Sequence, residues 1–264
     1  MRRVLGTDRV GHLGTLDPFA AGLLVIVVGR ATRLAPFTAG WDKAYEGVIR
    51  LGTTTTTDDL TGAVVTTSEA WRGMDRTRAE QALAALRGTY DQRPPAYSAV
   101  KVAGERAYRL ARRGVDVVLQ PRRVAVTELE LVSFALPDVG FRATVSGGTY
   151  LRSLARDVGE ALGCGAHLAA LTRTRIGPFR LADAVAPDQV TPQALRDPAL
   201  LVADLRRADL SPAERDAVVH GRPVPAGSEM REAGWVALFA GGALVAVAER
   251  MDDLLKPRVV VVEQ

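Results

Sequence analysis

Residues 11–22 read Gly-His-Leu-Gly-Thr-Leu-Asp-Pro-Phe-Ala-Ala-Gly, and the run Leu23-Leu-Val-Ile-Val-Val28 follows, closed by Gly29. The run is apolar and largely β-branched, which is the signal of a buried strand. The glycines around His12 and Asp17 let the backbone take tight or left-handed turns there. Pro18 biases Asp17 toward an extended conformation. Asp followed by Pro is also a natural N-cap and N1 pair of a helix. On these residues alone, the cap is a better reading of Asp17 than a functional carboxylate. His12 alone reads as a satisfied loop histidine.

Outward from this stretch, strands and helices mix without regular alternation. Tyr45 to Leu51 alternates and ends at Gly52, so it reads as a strand. The threonines at 53–57 lie before Asp58-Asp59 and read as a polar loop. Thr77 to Leu86 carries Ala and Leu at helical spacing, with Gly88 as its stop. Lys101 to Arg113 reads as an exposed basic helix ending at Gly114. Stretches 115–119, 124–132 and 141–145 read as strands. Thr149 to Leu162 is an amphipathic helix closed by Gly163. This order predicts an α+β domain: a mixed, largely antiparallel sheet flanked by helices.

Composition shifts near 183–200, where Pro187, Pro192 and Pro198 interrupt a polar stretch. Beyond it, Val236-Ala-Leu-Phe-Ala240, Gly241-Gly242 and Ala243 to Ala248 read as a hairpin. Arg258 to Val262 adds a strand. The expected domains are therefore 1–203 and a small β-rich module at 204–264.

The chain has 264 residues, 47% hydrophobic and 24% charged, enough to bury a core without covalent staples. Cys164 is the single cysteine, which excludes an intramolecular disulfide and fits a reducing compartment. No apolar run follows the charged Met-Arg-Arg start, and the run at 23–28 is far too short to span a bilayer. The expectation is a cytoplasmic protein without membrane contact, and a monomer by default. A formal charge of +4 reads first as a mildly basic protein, and it makes a polyanion partner only slightly more frequent than in proteins at large. Arg106, Arg109, Arg112 and Arg113 would make a basic face, either solvated or tracking phosphates.

Five blocks carry a resemblance. They are the Gly-His-x-Gly-Thr-Leu-Asp-Pro segment at 11–18, Asp42-Lys-x-x-Tyr45, and Arg93-Pro-Pro-Ala-Tyr-Ser-Ala-Val-Lys101 running on to Arg112. Ser146-Gly-Gly-Thr-Tyr-Leu-Arg152 and Gly163-Cys-Gly-Ala-His-Leu168, ending at Leu171, complete them. In this order, across residues 9–179, they resemble the TruB family of tRNA pseudouridine synthases. The resemblance implies a pseudouridine synthase fold with a PUA-like C-terminal domain. It implies isomerisation of uridine to pseudouridine on a flipped-out base in the T-loop of tRNA, at position 55, with the T-arm as partner and no cofactor. Asp17 takes the role of catalytic carboxylate, with Arg152 pairing to it and Lys43 as a supporting basic residue. His12, Tyr45, Tyr150 and Leu171 become substrate contacts, Tyr45 stacking on the extruded base and Leu171 walling the uracil.

In the family, a strand with a Lys-Pro motif precedes these blocks. This chain starts at Met1, inside the helix expected to follow, so the catalytic domain is expected to be N-terminally incomplete. Two other functions compete. One is an RNA-binding or tRNA-folding module of the same family with impaired catalysis. The other is a carboxylate-dependent hydrolase, which would need Asp58 or Asp59 as a second carboxylate beside Asp17. Cys164 and His167 are too few for a zinc site.

Overall fold

The computed structural model describes residues 2–98, 100–102, 104–113, 119–227, 230 and 234–262. The chain forms two compact units. One takes in residues 16–23 and 40–183; the other takes in 1–15, 24–39 and 184–264.

The first unit is built on one sheet. Its strands are β1 (Lys43–Leu51), β2 (Gly88–Gln92), β3 (Arg122–Ala135), β4 (Asp138–Val145), β5 (Ala166–Ile176) and β6 (Phe179–Arg180). The order across the sheet is β6-β5-β1-β4-β3-β2, each pair antiparallel. Ala21–Gly22 adds a short parallel pairing to β5 at Thr172 and Arg173, so the sheet is mixed and largely antiparallel. Two helices flank it: α1 (Arg76–Ala84) and α2 (Leu151–Leu162). The side chain of Asp75 caps α1, accepting from the backbone N–H of Arg78 at 2.8 Å. Along α2, Leu151, Leu154, Ala155, Val158 and Leu162 recur at helical spacing and are buried. They share a core with Ile49 and Leu51 of β1, Phe141 and Ala143 of β4, and Leu168 of β5. Each fully buried side chain of this size contributes about 1.5–3 kcal/mol to holding helix on sheet.

Two sequence expectations change. The threonine stretch is not a plain loop: Thr53–Thr55 pairs with Val64–Thr67 as a hairpin, and Asp58 and Asp59 lie in its connection. Threonine is β-branched and favours an extended pleated surface, which the reading of polarity alone missed. The expected helix at 101–113 is a two-residue hairpin, Lys101–Val102 with Glu105–Arg106, followed by a helix over Ala107–Arg112 only. Gly104, at φ +88°, lies between the two strands of that hairpin. Strand β5 is long and lies inside the sheet, although only its flanking motif stood out in the sequence. Most of the expected strand at 115–119 falls outside the described residues, as do the side chains of Arg106 and Arg112.

The second unit carries a five-stranded sheet. Its strands are β7 (Arg206–Asp209), β8 (Val224–Pro225), β9 (Trp235–Ala240), β10 (Ala243–Met251) and β11 (Leu254–Val260), in the order β7-β9-β10-β11-β8. The β9–β10 hairpin turns on Gly241 and Gly242, at φ +57° and +83°, as the Gly-Gly signal implied. Helix α3 (Pro212–Val219) opens with a reciprocal capping box between Ser211 and Glu214. Val218, Val236, Leu238, Val245 and Leu255 form its core. The run at 25–28 is a strand here, paired antiparallel with Val10–Leu13.

Candidate active site

Asp17 lies in the chain that leads into the short Ala21–Gly22 strand. The N–H of Ala20 donates to the carbonyl of Asp17 at 2.9 Å, closing a turn with Pro18 and Phe19 at its centre. Proline suits the second position of such a turn because its φ is already set. The helix-cap reading of Asp17 therefore fails: no helix follows, and the carboxylate is left for other partners.

Its partner is Arg152, in the first turn of α2. The guanidinium Nε donates to Asp17 Oδ2 at 3.0 Å and Nη2 to Oδ1 at 3.1 Å, a fork that holds both carboxylate oxygens. Nη1 donates to the carbonyl of Thr57 at 3.0 Å, and Nη2 also to that of Tyr97 at 3.0 Å. Asp59 Oδ2 stands 3.6 Å from Nη1. The Arg152 side chain is 6% exposed while that of Asp17 is 32% exposed. A buried cation thus grips a carboxylate that keeps one face open.

Asp59 is itself fixed. Its Oδ1 accepts from the hydroxyl of Thr57 at 2.7 Å and from the N–H and hydroxyl of Thr61 at 2.9 and 2.6 Å. Asp58, at φ +58°, turns the other way and takes Arg156 at 3.1 Å. Burial pushes the Asp58 carboxyl above its ordinary range, and the Arg156 charge only partly offsets this.

Lys43 and Tyr45 share one face of β1, two residues apart. Tyr45 pairs across the sheet with Arg173 of β5 and Ala143 of β4. The phenol is buried and hydrogen-bonds Arg173. Burial raises its pKa first, the Arg173 cation draws it back, and the nearby Asp17 carboxylate adds to the rise. The net result is a phenol that stays protonated at neutral pH. Lys43 donates to the carbonyl of Trp41 at 2.9 Å. Burial lowers its pKa, the Arg173 cation works in the same direction, and Asp42 opposes them.

Arg173 is 1% exposed, and its Nε donates to the carbonyl of Leu23 at 2.9 Å. Close approach of the 16–23 segment to β5 requires Gly22. A Cβ there would sit 2.4 Å from the carbonyl oxygen of Arg173, and the backbone is at φ +101°. Arg173 was not among the residues singled out from the sequence, and neither was Gln92. The sole hint was the Thr-Arg-Thr-Arg alternation at 172–175, in which every second residue faces one side of a strand.

Tyr150 is the half-buried residue from which α2 starts, two positions before Arg152. Leu171, on β5 opposite Gly47, is buried and part of the core cluster. Asp17, Arg152 and Tyr45 are thus brought together, and Tyr150 joins them through the chain. His12 is exposed on the Val10–Leu13 strand of the other compact unit. Among the described residues, no three His, Cys, Asp or Glu side chains gather as a metal would require. No helix of the described residues is long and apolar enough to cross a membrane.

Two family models match the chain. The model described as TruB family pseudouridylate synthase (N terminal domain) covers residues 2–151, and the one described as tRNA pseudouridylate synthase B C-terminal domain covers 152–214. A protein named tRNA pseudouridine synthase B from Azoarcus sp. (strain BH72) is 41% identical, the match covering 100% of this chain and 89% of the relative. One of the same name from Thermobifida fusca (strain YX) is 44% identical over 98% of this chain and 91% of its own. Among solved structures, a chain of a Cbf5-Nop10-Gar1 complex superposes with a TM-score of 0.70 at 26% identity, covering 100% of this chain and 78% of that one.

Proposed function

The chain belongs to the TruB family of pseudouridylate synthases, and from that premise we propose that it isomerises uridine 55 in the T-loop of tRNA, with Asp17 as the catalytic carboxylate. Family and relatives make it a tRNA pseudouridine synthase, an isomerase. The T-arm, the position and the residue roles are our reading. So are a monomeric working form, action in the cytoplasm, and an RNA-binding, PUA-like role for residues 204–264.

The observation that carries the reading is the fork from Arg152 to Asp17, at 3.0 and 3.1 Å, on a carboxylate whose side chain is 32% exposed. Pseudouridine formation breaks the N1–C1′ bond, turns the uracil and joins C5 to C1′. The proton lost from C5 balances the one gained at N1, so no co-reactant is consumed. A charged, aimed carboxylate serves this chemistry either as a nucleophile or as a proton acceptor. The fork aims it before substrate arrives, so little reorganisation is left for the reaction itself. Around it, Tyr45 offers a ring face and a protonated hydroxyl to an extruded base. Tyr150 and Leu171 wall the base, Lys43 supports the charge balance, and His12 contacts the RNA where the base leaves its stack. The hydrolase alternative wants a second free carboxylate, but Asp59 is 4% exposed and saturated with donors.

The test is to incubate an unmodified tRNA transcript with the protein and map pseudouridine, with Asp17→Asn in parallel. Product at a single T-loop uridine, absent in the variant, is expected. Tight binding without product from the wild type would favour a binding module instead. Product from both proteins would remove Asp17 from the mechanism.

A further inference from the structure

Gln92, the last residue of β2, is 2% exposed and uses both ends of its carboxamide. Its Oε1 accepts from the backbone N–H of Tyr150 at 2.9 Å, and its Nε2 donates to the carbonyl of the same residue at 3.1 Å. Nε2 also donates to the hydroxyl of Tyr90 at 2.9 Å. A neighbouring antiparallel strand would engage both main-chain groups of one residue in this way. Here a side chain 58 residues distant does so.

The residue it grips is a hinge point. Tyr150 is extended, at φ −101° and ψ 112°, and begins α2 with no side-chain cap of its own. Its carbonyl also accepts the first helical bond, from the N–H of Leu154 at 3.1 Å. Both lone pairs of that oxygen are therefore in use, one by the helix and one by Gln92. The amide can be oriented in one way only, because an N–H needs oxygen and a carbonyl needs a donor. Two residues further on, Arg152 reaches Asp17.

We propose that Gln92 is a positioning residue for the isomerisation: by fixing the main chain of Tyr150 it sets the phase of the first turn of α2, and through it the reach of Arg152 to Asp17. This rests on the reading of Asp17 as the catalytic carboxylate. Gln92 itself does not touch RNA, since it is buried. Its effect falls on the chemical step, where misplacement of a reacting group by about 1 Å costs on the order of 100-fold.

The test measures single-turnover conversion of a tRNA transcript by wild type, Asp17→Asn, Gln92→Leu and Gln92→Glu, with Tm and tRNA Kd for each. Leucine keeps the bulk and removes every hydrogen bond. Its rate is expected to fall about 10- to 100-fold, with Kd within about twofold. Glutamate still accepts from the Tyr150 N–H, and it regains a donor when protonated. Its rate relative to wild type is therefore expected to rise as pH falls, whereas the leucine ratio stays flat. A change in Tm with unaltered rates in both variants would overturn the proposal, as would a rate loss fully accounted for by Kd. If the leucine variant does not fold, a glutamate ratio independent of pH overturns it. No product from wild type, or equal product from Asp17→Asn, sinks the reading of Asp17 and this proposal with it. That result is distinct from Gln92 variants that match an active wild type.

Discussion

The Arg152 guanidinium donates four hydrogen bonds, two to Asp17 and one each to the carbonyls of Thr57 and Tyr97, and its Nη1 also faces Asp59 at 3.6 Å. A lysine at 152 has three donors on one nitrogen and no planar fork, so it cannot serve this set. Arg152→Lys is expected to slow conversion about 10- to 100-fold and to lower Tm; a rate within twofold of wild type would show that charge alone suffices. Asp59→Asn removes a buried charge facing Arg152 and is expected to cost about 1–3 kcal/mol, read as a lowered urea midpoint with unchanged slope. The thiol of Cys164 is 4% exposed, and burial pushes its pKa up. In the folded protein it should react with a disulfide reagent at least about tenfold more slowly than in urea; equal rates would contradict its placement. At this scale, legibility was uneven. Asp17 read alone as a helix cap, and the family order of Tyr45, Tyr150, Arg152 and Leu171 singled it out. Arg173 was not legible, because arginine is ordinarily a solvated residue. Only its seat in an interior strand makes it a buried cation.

That seat is a matter of elements. Strand β5 binds β1 along nine residue pairs and receives Ala21–Gly22 at its Thr172 and Arg173. Its sequence, Ala-His-Leu-Ala-Ala-Leu-Thr-Arg-Thr-Arg-Ile, has bulges between Leu168 and Ala170 and between Arg173 and Arg175 that blur a simple alternation. This is why its length went unread while the cleaner patterns of β1, β3 and α2 were plain. Gly22→Ala drives a Cβ into the β5 backbone at a positive φ and is expected to destabilise by about 1–3 kcal/mol, seen as a lower thermal midpoint. Leu154→Ala, beneath α2, is expected to cost about 2–5 kcal/mol by leaving a cavity. If it costs less than roughly 1 kcal/mol, the packing of α2 on the sheet is looser than described.

For the whole molecule, the formal charge of +4 and pI near 9.6 favour an anionic partner. Affinity for tRNA is expected to fall roughly tenfold or more between about 50 and 200 mM salt; a flat salt dependence would mean that phosphate contacts contribute little. The fold class was legible from the mixture of strands and helices. The compact units group residues 1–15 and 24–39 with 184–264, and no local pattern announces so distant an association. The fork between residues 17 and 152 spans 135 positions and also draws on 57 and 97. A chain emerging from the ribosome therefore carries its carboxylate early but cannot aim it until α2 has followed. Any product of interrupted synthesis that ends before that helix holds Asp17 without the fork from Arg152. On our reading of Asp17, such fragments are expected to convert no uridine.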